Sequence, residues 1–131
     1  MTLVDTSAWV EFLRATGSSA HLRLRELLRG DDPLATTEVV VMEVLAGARD
    51  PAHLDRLRRV VLGRCQLLAG HGLADYEEAA VLYRHCRGQG ATVSRLNDCL
   101  IAAVAIRAGV PLLHADEHFD RIARHCRLQM A

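Results

Sequence analysis

The sequence has no lysine: all 16 of its Lys-plus-Arg positions are arginine. Three kinds of catalyst are excluded on that ground. A P-loop needs a lysine on its phosphates, a Schiff-base enzyme needs a side-chain amine, and a receiver domain or aspartyl-phosphatase needs a lysine beside its acid. Arginine forks suit bidentate phosphate contacts, although a GC-rich coding bias accounts for the missing lysine at least as well. Aromatic residues are scarce too, at 4% against 50% hydrophobic, so the core is aliphatic. No apolar run approaches the roughly 18 unbroken residues of a membrane span. The first strand starts at once, which leaves no room for a signal peptide and makes a cytoplasmic location the expectation.

Cys65, Cys86, Cys99 and Cys126 lie far apart with no pair at metal-knuckle spacing, so buried free thiols are expected rather than disulfides. The formal net charge is zero. No global field therefore steers the protein to nucleic acid, and any such attraction must come from a local patch. Repeats, linkers and low-complexity segments are also missing. At 131 residues the chain is expected to form one domain, 1–131, long enough for a real core.

What is present is organised around the opening stretch, Thr2-Leu3-Val4-Asp5-Thr6-Ser7-Ala8-Trp9-Val10-Glu11-Phe12. An apolar run ends in a carboxylate, two hydroxyl residues follow, and Trp9, Phe12 and Leu13 recur at helical spacing. The pattern predicts strand, sharp turn and helix, with Thr6 or Ser7 as the N-cap. In α/β sheets, chemistry sits beyond the carboxyl ends of the strands. Asp5 occupies such a place, and helix capping is its plainer role.

Downstream, Ser18 or Ser19 caps a second helix buried through Ala20, Leu24, Leu27 and Leu28, and Leu34-Ala35 reads as a short strand. Segment 36–47 mixes strand-favouring valines with a cap-like Thr37 and a Gly47 stop. Helix is preferred there, and Glu43 then stands in a largely apolar segment, either on a solvated face or paired. Asp50-Pro51 opens a helix aligned on Leu54, Leu57 and Val61 and closed by Gly63, before a third strand at Cys65-Gln66-Leu67-Leu68. A longer helix over about 74–87 places Tyr76, Ala80 and Tyr83 on one face, with Glu77 and Glu78 solvated.

The second informative stretch runs from Val93 to Arg107. From Cys99 to Ile106 it is apolar all round, which means a helix buried on nearly every side. Asp98 stands in its first turn. Macrodipole complementation is the ordinary reason for an acid there, but so apolar a helix carries its leading carboxylate toward the interior. Asn97 is placed to cap the helix or to hold the neighbours of Asp98 by hydrogen bonds. After Gly109, Val110-Pro111-Leu112-Leu113 reads as a central strand. His114-Ala115-Asp116-Glu117-His118-Phe119-Asp120 again sets an acid between a strand end and a helix, whose inward side is Phe119, Ile122 and Ala123. Arg127-Leu128-Gln129 reads as a last edge strand.

Asp5, Asp98 and Asp116 thus fall in comparable places, and Glu43 joins them if its segment faces theirs. Carboxylates a few Å apart repel, so some stay protonated unless a cation compensates. An all-oxygen site without His or Cys ligands suits Mg²⁺ or Mn²⁺, which complete their shells from water and substrate phosphate. Activated water attacking phosphorus, a metal-assisted phosphodiester hydrolysis, is the chemistry of such a site.

Four fragments carry a family resemblance: Leu-Val-Asp-Thr-Ser-Ala-Trp-Val at the start, Met-Glu-Val-Leu-Ala-Gly, Asn-Asp-Cys-Leu-Ile-Ala-Ala, and Leu-Leu-His-Ala-Asp-Glu-His-Phe near the end. In this order and spacing the chain resembles a PIN-domain protein of the VapC toxin type, over nearly its whole length. The resemblance implies a three-layer α/β/α PIN-like domain with a central, mostly parallel sheet. It implies an acidic quartet at Asp5, Glu43, Asp98 and Asp116, with a small hydroxyl residue at Thr6 or Ser7 and a polar residue at Asn97. It further implies a Mg²⁺- or Mn²⁺-dependent endoribonuclease, the toxin of a type II toxin–antitoxin pair, working as a homodimer and inhibited by a VapB-like antitoxin. In that reading Asp5, Asp98 and Asp116 hold the ion and Glu43 orients the ion or the attacking water. The chain departs from the pattern at His114-Ala115, where many relatives have Thr followed by Arg or Lys. His114 is the residue available to replace either function.

Rival readings start from the same residues. His114, Asp116, His118 and Asp120 invite a zinc site, but the first pair shares a face only in extended chain, and His118 and Asp120 point different ways on a helix. A covalent phosphatase built on Asp5 normally has a second Asp where this chain has Ser7, and a lysine it lacks. A non-catalytic RNA- or partner-binding module would have no need of all four acids. Arg95, just ahead of the acidic turn, is a candidate phosphate contact, with a solvated loop arginine as the alternative. His21, His53, His71, His85 and His125 have no partners at ligand spacing.

Overall fold

The computed structural model describes residues 1–90 and 95–131; Val93 and Ser94, which open the second informative stretch, lie outside them. Four short strands, β1 (Thr2–Val4), β2 (Leu34–Thr36), β3 (Cys65–Leu67) and β4 (Leu112–Leu113), pair in the order β3-β2-β1-β4. Every pairing is parallel. Parallel neighbours need crossovers, and the described helices supply them: α1 (Thr6–Leu13), α2 (Ser19–Arg29), α3 (Glu38–Ala46), α4 (Pro51–Arg64), α5 (Leu73–Gly88), α6 (Leu96–Ala108) and α7 (Glu117–Ala123). A sheet covered on both faces must be apolar throughout, and Leu3, Val4, Leu34, Ala35 and Leu112 are all fully or almost fully buried. This is the three-layer α/β/α arrangement expected from the sequence.

The strand order reverses beside β1, since β2 flanks it on one side and β4 on the other. Such a switch point opens a crevice at the carboxyl ends of the strands. Register makes the crevice precise in level. Leu3 pairs with Leu112 and Val4 with Leu113, and the Asp5 amide donates to the Leu113 carbonyl at 2.9 Å. The two strands therefore end together, and the residues that follow each of them leave the sheet side by side.

Local chemistry explains most boundaries. Thr37 Oγ1 accepts the Val40 amide at 3.1 Å and starts α3. Asp50 Oδ1 accepts the His53 amide at 2.7 Å, with Pro51 in the first turn, and starts α4. Ser18 caps α2. Gly109 ends α6 at φ +67°, a left-handed conformation that a β-carbon disfavours. Helix α6 itself is buried without a break from Asp98 to Ala105.

Several expectations need correction. The cap of α1 is Asp5, in the plainer of its two expected roles, and not Thr6 or Ser7, because the backbone stays extended through Asp5 and its carboxylate reaches the amide two residues on. Gly63 lies inside α4, which continues to Arg64. On α5 the buried positions are Asp75, Ala79 and Cys86, with Tyr76 turned outward at 62% exposure; the face is rotated by one residue. Its register is set by a polar anchor that periodicity does not detect. Arg107 clasps buried Asp75 from Nε to Oδ1 at 2.9 Å and from one terminal nitrogen to Oδ2 at 3.1 Å, and it also donates to the Ala69 carbonyl at 3.0 Å. Strand β4 lies at the end of the four-strand order rather than in its middle. Beyond it, a single parallel bridge joins Leu112 to Met130, so the C-terminal pairing falls just past the segment expected and is too short for a strand. All four cysteines are free. Burial pushes the Cys99 thiol up to about 12 and the Cys65 thiol up to about 11, which leaves them unreactive.

Candidate active site

Asp5 leaves β1 at the switch point and turns its carboxylate back over the start of α1. Oδ2 accepts two hydrogen bonds from Ser7, from the amide at 2.9 Å and from Oγ at 2.5 Å. Ser7 Oγ also accepts the Ala115 amide at 2.9 Å. One hydroxyl thus ties the turn after β1 to the turn after β4. The other oxygen, Asp5 Oδ1, is buried and has no hydrogen-bond partner among the described residues. Burial raises the Asp5 pKa against the Ser7 hydrogen bonds, and the Glu43 charge raises it further.

Glu43 comes in from α3. Thr6 Oγ1 donates to its Oε1 at 2.8 Å, which fixes the carboxylate toward Asp5. Asp98, in the first turn of α6, is 4% exposed. Burial pushes its pKa up to about 6; the Arg95 guanidinium opposes the shift, and repulsion from Asp5, Asp116 and Glu43 adds to it. Asp98 Oδ2 makes no hydrogen bond among the described residues. It stands 3.6 Å from Arg95 Nε and 3.5 Å from His118 Nδ1.

These side chains share a cavity of about 250 Å³ lined by Asp5, Thr6, Ser7, Glu43, Arg95 and Asp98, together with Val10, Glu11 and Ala115. Asp116 stands at its margin as the N-cap of α7. Its Oδ1 accepts the His118 amide at 2.9 Å, and its Oδ2 accepts from Arg95 at 2.8 Å. The structure brings the carboxylates of Asp5, Glu43 and Asp98 to one cavity and links Asp116 to Asp98 through Arg95 and His118.

Two site neighbours escaped the sequence reading. Glu11 lines the cavity from one turn beyond Ser7, a helical spacing that the sequence already contains. His118 enters the sequence reading only through the rival zinc site, not as a neighbour of Asp98. In the structure, ligand atoms of Asp98, Asp116 and His118 lie within 4.8 Å of one another, because Asp116 caps α7 and the first turn of that helix lies against α6. The four-residue zinc constellation does not assemble: His114 Nδ1 accepts the Asp116 amide at 3.1 Å, and its Nε2 lies 3.3 Å from Asp120 Oδ1, away from Asp98. Asn97 is exposed within α6 rather than at its cap, which is Arg95 and has no side-chain capping bond.

The donor set suits a hard divalent ion. Two buried carboxylate oxygens, on Asp5 and Asp98, have lone pairs that no described donor satisfies, and desolvated acids repelling one another need a cation. Without one, folding favours the protonated Asp98. Stability of the metal-free protein is therefore expected to fall as pH rises from 3.8 to about 6, by up to about 3 kcal/mol for this group. Urea unfolding in EDTA across that range, with Asp98→Asn alongside, checks it. Equal pH slopes in the two proteins would remove Asp98 as the source.

Comparison with known proteins gives the same architecture a context. A family model described as the PIN domain matches residues 2–125. Ribonuclease VapC11 of Mycobacterium tuberculosis is 46% identical over 132 residues, covering 100% of this chain and 98% of its own. Ribonuclease VapC32 of the same species is 32% identical over 117 residues, covering 89% and 86%. Among solved structures, VapBC-1 from nontypeable Haemophilus influenzae aligns with a TM-score of 0.74 at 19% identity over 99% of this chain and 96% of that one. VapBC2 from Rickettsia felis, bound to a promoter DNA fragment, aligns with a TM-score of 0.73 at 18% identity over the same shares. VapC20 of M. tuberculosis, a sarcin–ricin loop cleaving toxin, aligns with a TM-score of 0.67 at 20% identity over 98% and 99%.

Proposed function

Since this chain belongs to the PIN-domain family, as a VapC-type toxin, we propose that it is the ribonuclease of a VapBC pair and cuts RNA with water activated by Mg²⁺ or Mn²⁺. The observation that carries the reading is the pair of buried, unbonded carboxylate oxygens, on Asp5 and Asp98, beside one cavity. Asp5, Asp98 and Asp116 would hold the ion, with Glu43 beside it. These residues would place the ion against the clustered charge, and the chemistry it would supply there is activation of water for attack on phosphorus. The remaining work belongs to the protein. Ser7 locks the orientation of Asp5 while anchoring the turn that carries Asp116. Thr6 holds one oxygen of Glu43, leaving the other to orient the attacking water and accept its proton. Water attack breaks the bond from phosphorus to the 3′ oxygen, so the products carry 5′-phosphate and 3′-hydroxyl ends.

End-group analysis of RNA cleaved by the purified protein tests this directly, with cleavage expected to stop in EDTA and return with Mn²⁺. A 2′,3′-cyclic phosphate formed in EDTA would replace the mechanism with attack by the substrate's own 2′-hydroxyl. The inhibitor in this reading is a VapB-like antitoxin, since solved structures of similar fold include VapBC assemblies. Leu73, Tyr76 and Val81 expose apolar surface along α5, which suits a homodimer or an antitoxin helix. Among the described residues, no helix is long and apolar enough to cross a membrane. The setting that goes with a ribonuclease and its antitoxin in this reading is the cytoplasm.

A further inference from the structure

We propose that Arg95 is the resident cation of the unloaded site, and that a divalent ion displaces its guanidinium from Asp98 and Asp116 toward the phosphate of the incoming RNA. The inference rests on the function proposed above and adds a coupling between ion and substrate that runs through one side chain.

Arg95 bridges the two acids, with its Nε 3.6 Å from Asp98 Oδ2 and a terminal nitrogen 2.8 Å from Asp116 Oδ2. Asp98 Oδ2 is also one of the buried oxygens without a hydrogen bond, so the guanidinium covers an atom that the ion would need. Among the described residues lining the cavity it is the one that is basic, against the acids Asp5, Glu11, Glu43 and Asp98. An arginine cannot surrender its charge, so guanidinium and divalent ion cannot both sit closely against the same oxygens without mutual repulsion. The Arg95 side chain is 56% exposed, and among the described residues its side-chain hydrogen bond is the one to Asp116. The acids are the buried half of the pair and the guanidinium is its solvent-facing half, so the fork can swing outward once an ion takes over the charge of Asp98. Once freed at the cavity mouth, a guanidinium fork matches a phosphate bidentately. Ion uptake and RNA affinity then rise together, because each favours the outward arginine.

The test uses Mn²⁺ titration by calorimetry and binding of a phosphorothioate-linked oligoribonucleotide by fluorescence anisotropy, neither of which needs turnover. Arg95→Gln is expected to bind Mn²⁺ roughly fivefold tighter than the parent. Arg95→Lys, which keeps the charge and loses the fork, should fall between them. In Mn²⁺, Arg95→Gln should weaken RNA binding and reduce its salt slope by about 0.7; in EDTA it should do neither. Equal Mn²⁺ affinity in parent and Arg95→Gln overturns the proposal while leaving the nuclease reading intact. So does an RNA defect of equal size with and without the ion. If the parent itself takes up no Mn²⁺, the nuclease reading fails and this inference falls with it.

Discussion

Asp98→Asn is expected to lower the rate of RNA cleavage by about 10³-fold or more while giving a folded protein that, in EDTA at neutral pH, is more stable than the parent. The two effects have one cause. Asp98 is 4% exposed, and its carboxylate is crowded by Asp5, Asp116 and Glu43. Holding that charge in the interior costs stability and creates the place for a cation. An amide of the same shape relieves the repulsion and removes the anionic donor together. Thermal unfolding supplies the companion measurement. Mn²⁺ should raise the melting temperature of the parent, since a ligand bound only to the native state stabilises it, and should have little effect on the variant. A folded Asp98→Asn protein that cleaves RNA at close to the parental rate would remove this carboxylate from the reaction.

The second large effect lies outside the cavity. Arg107→Met is expected to destabilise the protein by about 3 kcal/mol in urea unfolding, the low end for a buried charge left without its partner. Asp75 is 6% exposed and accepts two bonds from Arg107 and one from the His71 amide at 2.9 Å. Burial pushes its pKa up, but the His71 amide and the Arg107 guanidinium outweigh burial and hold it below the ordinary 3.8. This contribution is therefore fully present above that value and is lost as pH falls through the lowered one. The pair fastens α5 to α6 and pins the segment at Ala69 and His71. Since α6 carries Asp98 at its other end, loss of the clasp should also loosen the site. Replacing both members with apolar residues, as in Asp75→Leu with Arg107→Met, is expected to recover much of the loss, because no charge is then stranded. A cost below about 1 kcal/mol for Arg107→Met alone would show that the clasp is dispensable.

Much of the fold was legible because its signals are local. Alternating short apolar runs and amphipathic helices identify an α/β chain, and Thr37, Asp50, Ser18 and Gly109 mark boundaries by chemistry confined to a few residues. Where the reading went astray, a distant partner had decided. The face of α5 is set by Asp75, which periodicity scores as polar and therefore outward; the His71 amide and Arg107, 32 residues later, make its burial tolerable. The first helix is capped by Asp5 rather than by its hydroxyl neighbours because those neighbours are used elsewhere: Thr6 holds Glu43, and Ser7 accepts from Ala115. His118 could not be placed from its own helix, since what matters is how α7 lies against α6.

By itself the sequence determined the class of the fold, the starts of α2, α3 and α4 and the stop of α6, the absence of lysine chemistry, and a short set of acids standing where strands end and a buried helix begins. Those properties depend on spacing and side-chain type, and both are written along the chain. The tertiary structure alone decided that β1 and β4 end at one level, that Asp5, Glu43 and Asp98 face one cavity, and that Arg95 and His118 stand between Asp98 and Asp116. Contacts across dozens of residues are selected by packing the whole core at once, and a carboxylate acquires its raised pKa only after that packing has removed the water around it.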